Sequence, residues 1–126
     1  MNVKNIASFL IFTTLLSCFI SETFAIAGRA SWYATLVPST CFGGADEGNM
    51  VVAIPQAMYD QGYQCGQMLT VSCQAQGYPC KSSESINVKI VEKCTSSAPN
   101  IIALYKDAFA EIADPGAGSI PIEFII

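Results

Sequence analysis

The chain has 126 residues, 52% of them hydrophobic, and a net charge of −4. With six Lys and Arg in all, it lacks the basic surface that nucleic acid or an anionic membrane needs. It contains no histidine, which excludes a Ser-His-Asp triad, a Cys-His pair and any histidine-ligated metal.

The chain opens with Lys4 and a nearly unbroken apolar run, residues 6–20 (IASFLIFTTLLSCFI). Small residues follow at Thr23, Ala25 and Ala27. This is the grammar of a secretory signal peptide with cleavage after Ala25 or Ala27. The run is shorter than the roughly 20 residues a spanning helix needs. The expected organisation is a signal peptide over residues 1–25 and one extracellular domain over residues 26–126.

Residues 28–33 (GRASWY) read as a first strand. Val37-Pro38-Ser39-Thr40 is a loop, Cys41-Phe42-Gly43-Gly44 a tight turn, and Asp46-Glu47-Gly48-Asn49 a polar loop. Residues 50–54 (MVVAI) are a short buried strand. Pro55 starts a brief helical turn that stops at Gly62. Residues 65–80 (CGQMLTVSCQAQGYPC) hold three cysteines, with a β-branched apolar run leaving one and turn residues before the last. They read as a strand tied at its corner.

Residues 86–91 (INVKIV) alternate apolar and polar side chains and predict a half-buried strand. Residues 92–100 are expected to be loop. A short apolar run at 101–104 leads into an amphipathic helix over 105–113, with Phe109 and Ile112 at helical spacing. Asp114-Pro115-Gly116 ends it. Residues 119–126 (SIPIEFII) predict a last strand with Ile120, Ile122 and Phe124 on one face. About six short strands and two small helices in one all-β domain point to a closed barrel, which leaves no exposed sheet edge.

Cys18 leaves with the signal peptide, so five cysteines remain: Cys41, Cys65, Cys73, Cys80 and Cys94. A small secreted domain uses them as disulfides. Five cannot all pair within one chain. The favoured pairing is Cys41–Cys65 and Cys73–Cys80, with Cys94 a free thiol or a link to a second chain. The chain-entropy model gives about 3.5 kcal/mol for the longer loop and about 2.5 for the shorter. The rival reading, a thiolate zinc site, lacks histidine and the right compartment. No metal and no cofactor is expected.

In chain order the motifs are S-W-Y, then C-F-G-x-x-D-x-G-x-M, then C-G-x-M-x-T-V-x-C, then V-K-I-V-x-x-C, then A-F-x-x-I-A-D-P-x-A-G-x-I-P-I-E-F. This order resembles plant natriuretic peptide-like proteins, the stand-alone relatives of expansin domain 1 and family-45 endoglucanases. The resemblance covers residues 28–126. It implies a six-stranded double-psi β-barrel, secreted to the apoplast, without the second, carbohydrate-binding domain of expansins. The two favoured disulfides match the family's pattern.

The chain departs from that pattern twice. The family's C-P-P-x-C segment reads Cys94-Thr95-Ser96-Ser97-Ala98 here, so Cys94 loses its family partner. Relatives carry I-D-L-S before the last helix, and its Asp matches the endoglucanases' general acid. Here the text is Ile102-Ala103-Leu104-Tyr105. The hydrolases' base falls near Ala34 or Thr35 and is also absent.

Inverting glycoside hydrolysis needs one carboxylic acid to protonate the leaving group and one carboxylate to activate water. With both positions changed, no catalytic residue is assigned and Ala103 is a lost catalytic position. Candidate partner-binding residues are Trp32, Tyr33, Phe42 and Asp46. Each has a structural alternative: core packing for the two strand aromatics, turn packing for Phe42, and a hydrogen bond to its own loop for Asp46, the favoured role. Met50, Met58 and Met68 read as core filler. Tyr105 replaces a small family residue and is expected to block part of any groove there.

Two functions are implied by resemblance. The favoured one is natriuretic peptide-like signalling, acting on water and ion homeostasis through a cell-surface receptor and cyclic GMP. The family's active segment matches roughly residues 33–66. The alternative is an expansin-like protein that binds or loosens cell-wall polysaccharide without hydrolysis.

Overall fold

The computed structural model describes residues 24–126. Almost all of the expected signal peptide therefore lies outside the described residues. Six strands close into a barrel: β1 (Ile26–Tyr33), β2 (Val51–Ile54), β3 (Met68–Cys73), β4 (Ile86–Lys93), β5 (Ile101–Tyr105) and β6 (Ile120–Ile125). Their order around the barrel is β1-β5-β2-β4-β3-β6. The pairs β1/β5 and β2/β4 are parallel and the other four are antiparallel. This is the double-psi β-barrel the motif order implies. Two short helices complete it, α1 (Gln56–Asp60) and α2 (Lys106–Ile112), with a 3-10 turn at Pro115–Ala117.

The barrel closes because each strand sends alternate side chains inward. Val52 and Ile54, Leu69 and Val71, Val88 and Ile90, Ile102 and Leu104, and Ile120, Ile122 and Phe124 meet in one core. From the helices Met58, Ala108, Phe109 and Ile112 join it. Each fully buried aliphatic or aromatic side chain contributes about 1.5–3 kcal/mol of transfer free energy. β1 offers Ala30, the partly buried Ile26 and a close backbone contact. A Cβ on Gly28 would lie 2.2 Å from the carbonyl oxygen of Asn100, so glycine is required where the two segments cross.

β2 is buried on both faces, which explains its unbroken apolar sequence. On the outside of the barrel, Val51, Val91 and Tyr105 form a second small core against Tyr33, Leu36 and Phe42. The segment 34–49 lies over it as a strap. Cys41–Cys65 pins the strap and Cys73–Cys80 ties the loop after β3. Cys94 is free and half-buried.

Three local expectations are corrected. Met58 is core, but Met50 and Met68 are exposed; Met68 sits opposite the outward-facing Lys89. β4 runs on to Lys93, so Glu92 and Lys93 belong to a strand and not to the following loop. Tyr105 does not obstruct a groove, because its ring turns under the strap and meets Tyr33 edge-on at 5.8 Å.

Candidate functional site

A cross-strand row of small side chains runs over the outside of the barrel. Ser31 of β1 sits opposite Ala103 of β5, and Ala103 opposite Ala53 of β2. Ala53 in turn sits opposite Glu92 of β4. A chain of pairing across four strands thus produces a shallow floor with a carboxylate at one end. The groove over it has a volume of about 340 Å³, and its walls include Trp32, Tyr33, Lys93 and Cys94.

Glu92 reaches this position through a β-bulge. β2 and β4 run in register through Val52 and Ile90, and then Ala53 meets Glu92. Val91 is the extra residue. Bulges re-aim side chains in this way. Val91 packs beneath the strap while Glu92 enters the groove wall. The Glu92 carboxylate accepts hydrogen bonds from the Thr40 backbone N–H at 3.1 Å, from the Thr40 hydroxyl, and from the Lys93 N–H at 2.9 Å. Its backbone oxygen accepts from the Tyr59 hydroxyl at 3.0 Å.

Trp32 is 41% exposed. Its indole N–H donates to the Pro115 carbonyl oxygen at 3.1 Å. The Pro115 turn is itself held by Asp114, whose carboxylate accepts from the Gly116 N–H at 2.9 Å. The indole is therefore a fixed apolar plate at the groove's edge. Tyr33 lines the same groove, and its hydroxyl is buried with no hydrogen-bond partner. Burial, reinforced by the charge of Glu92, pushes its phenol up to about 12. Burial also raises the Cys94 thiol. Its Sγ–H donates to the Ile101 carbonyl oxygen at 3.6 Å.

Of the candidate partner-binding residues, the structure brings Trp32 and Tyr33 together and puts Ala103 in the floor between their strands. Phe42 and Asp46 lie elsewhere. Phe42 belongs to the strap and packs down onto the small outer core, with the Lys89 ammonium 5.8 Å from its ring. Asp46 accepts from the Gly48 N–H at 2.8 Å, the loop role expected of it. The sequence reading missed Glu92. The available signal was the break in alternation at Ile90-Val91-Glu92, where two apolar residues in a row face opposite sides.

A second hollow, about 630 Å³, surrounds the Cys73–Cys80 disulfide. It is larger but contains no aromatic ring and no carboxylate, and its Lys81 ammonium is taken by the Ala110 carbonyl oxygen. The groove beside Trp32 has the better chemistry. Among the described residues no group of three or more His, Cys, Asp or Glu is placed to hold a metal ion.

The barrel and its groove define a double-psi β-barrel protein. A family model of that fold, described as lytic transglycolase, matches residues 51–124. The chain belongs to this family, and within it to the EG45-like, expansin-like group. It is 37% identical over 121 residues to putative EG45-like domain containing protein 1 of Arabidopsis thaliana, covering 93% of this chain and 96% of the relative. It is also 37% identical to an EG45-like domain containing protein of Citrus jambhiri, over 91% of this chain and 92% of that one.

Among solved structures it resembles a mutant Clavibacter michiganensis expansin in complex with cellohexaose, with TM-score 0.66 and 25% identity. That match covers 81% of this chain and 50% of the expansin, so the chain spans about half the expansin's length. Streptomyces papain inhibitor shares the fold, with TM-score 0.60 and 23% identity over 82% of this chain and 96% of the inhibitor.

Proposed function

We propose that this protein is a secreted, non-hydrolytic member of its family that binds polysaccharide chains in the groove beside Trp32. The observation that carries this reading is the anchored indole standing over a floor of small side chains. Pyranose rings present flat apolar faces, and a fixed aromatic plate gains contact area at little entropic cost. Hydroxyl groups of Ser31, Thr95 and Ser96 lie along the same groove. Cellohexaose, the ligand of the similar expansin, is the natural probe.

Binding goes without cleavage for a chemical reason. The family's acid position is Ala103, and Glu92 is the carboxylate of the groove wall. Its oxygens already accept from Thr40 and Lys93, so it is poorly placed to activate water. Two disulfides and the apolar N-terminal run of residues 6–20, expected to be a signal peptide, support an extracellular location. Cys94 is half-buried against Ile101, which favours a monomer over a chain-linking disulfide.

The test is co-sedimentation with cellulose, with released reducing ends measured in the same tubes. Retention of the protein with no sugar release above blank supports the reading. Sugar release, or no retention, contradicts it.

A second reading, natriuretic peptide-like signalling, draws on the strap. Within segment 33–66, the strap 34–49 is a surface element pinned by Cys41–Cys65 and seated on the small outer core, while β2 is a buried barrel strand. Protoplasts have no wall. Swelling on addition of the protein, lost in a Cys41→Ala/Cys65→Ala variant, supports a membrane receptor; no response at saturating dose removes this reading.

A further inference from the structure

The strap and the groove share one wall, and β4 is that wall. Three outward-facing residues of β4 hold the strap. The Lys89 ammonium pairs with Glu47 at 3.0 Å. The Val91 carbonyl oxygen accepts from the Cys41 N–H at 3.0 Å. Glu92 accepts from both polar groups of Thr40. The first two contacts lie beneath the strap. Only Glu92 also belongs to the groove, because the bulge at Val91 turns it there.

The same carboxylate accepts from the Lys93 N–H, and residues 93–96 form the groove's far wall. Glu92 is the chain neighbour of Lys93, so its side chain ties Thr40, next to the Cys41–Cys65 bridge, to the strand end that leads into Cys94, whose N–H is itself held by the Ile54 carbonyl oxygen at 3.0 Å. A second link runs in parallel. The Tyr59 hydroxyl donates to the Glu92 backbone oxygen and lies 3.5 Å from the Cys41 sulfur.

We infer that Glu92 is a positioning residue that couples the disulfide-closed strap to the groove: while Thr40 is seated on Glu92 the wall 93–96 is held, and when it is not the groove loosens. The inference rests on the groove being the binding site. By linkage, a ligand that needs the held wall also favours the closed strap, and by the same factor. Occupancy of the groove and presentation of the strap surface then become one equilibrium.

Cys94 provides a reporter within the wall, and the test needs no ligand. The rate of Cys94 alkylation by iodoacetamide is measured in the full mature protein with both disulfides formed. Thr40→Val and Glu92→Gln each raise the rate about three- to tenfold, the factor expected for loss of one hydrogen bond of ordinary net strength. The double variant reacts no faster than the faster single one, because both break the same joint. Thr40→Ser restores the hydroxyl and the wild-type rate, which a general loosening of the fold does not do.

Thr40→Val leaves the formal charge of Glu92 in place, so a rise there does not come from removing that charge. A Cys41→Ser/Cys65→Ser variant, if it folds, shows the same rise and gains nothing further from Thr40→Val. Wild-type rates in both Thr40→Val and Glu92→Gln, or effects that multiply in the double variant, overturn the inference. A separate arm adds cellohexaose to the wild type. Failure to slow Cys94 alkylation there counts against the groove reading and leaves the comparison of variants standing.

Discussion

Trp32 on β1 and Pro115 after α2 are joined by a 3.1 Å hydrogen bond from the indole N–H to the carbonyl oxygen, across 83 residues of sequence. The bond fixes the ring at the groove's edge before any ligand arrives. Trp32→Ala is expected to weaken cellulose retention about tenfold or more, roughly 1.4 kcal/mol. Trp32→Phe keeps an aromatic face but loses the anchor and should fall between the two. Asp114→Ala, which frees the Pro115 turn, should weaken retention by less. Binding isotherms on cellulose check all three.

Restoring the lost acid should not restore a hydrolase. Ala103→Asp puts a carboxyl in the groove floor, two strands from Glu92 and so about 10 Å from it between backbones. Glu92 remains occupied by Thr40 and Lys93, and no second carboxylate stands at Ala34 or Thr35. The expected release of reducing ends from amorphous cellulose is nil. Turnover in this single variant would show that Glu92 serves as a base.

These two predictions draw differently on the sequence. The strands and the alternation of Ile120, Ile122 and Phe124 were legible because periodicity and turn residues carry them, and both disulfides and the free Cys94 because the cysteines could be set against the pattern of the family the chain resembles. Ala103 was legible because it replaces a single residue in a local motif. The groove was not. Its floor comes from register between strands far apart in the chain, Ser31 with Ala103 and Ala103 with Ala53. The role of Glu92 depends on a bulge, and that of Trp32 on a partner 83 positions away. Met50 and Met68 misled because an apolar residue at a strand's start reads as core even when it points outward.

Stability should fall between about pH 10 and pH 12. Burial is the main reason the Tyr33 and Tyr59 phenols rise to about 12, with the Glu92 charge adding to it. An unfolded phenol ionises near 10. In that window the unfolded chain gives up protons that the folded chain keeps, so unfolding is favoured as pH rises. The contribution is fully present below about pH 10. Denaturant midpoints across this range, with Tyr33→Phe for comparison, check it; the variant should lose less stability on the alkaline side. A midpoint flat to pH 12 would contradict the account.

Gly28→Ala should be costly although the change adds one methyl group. Its Cβ would meet the Asn100 carbonyl oxygen at 2.2 Å, and that oxygen accepts the Arg29 N–H at 3.1 Å. Separating the two segments costs about 1–3 kcal/mol. Thermal or denaturant unfolding measures it, and a variant as stable as the parent would mean the β1 crossing is looser than described.

The central claim is that the groove beside Trp32 binds a polysaccharide chain. Trp32 is the chain's one tryptophan, so its fluorescence reports on that site alone. The most direct measurement is a titration of the mature protein with cellohexaose, followed by tryptophan emission. The account predicts a saturable change in intensity and wavelength, with the sugar recovered uncleaved. Emission that stays constant to saturating cellohexaose, or recovery of shortened oligosaccharides, would contradict it.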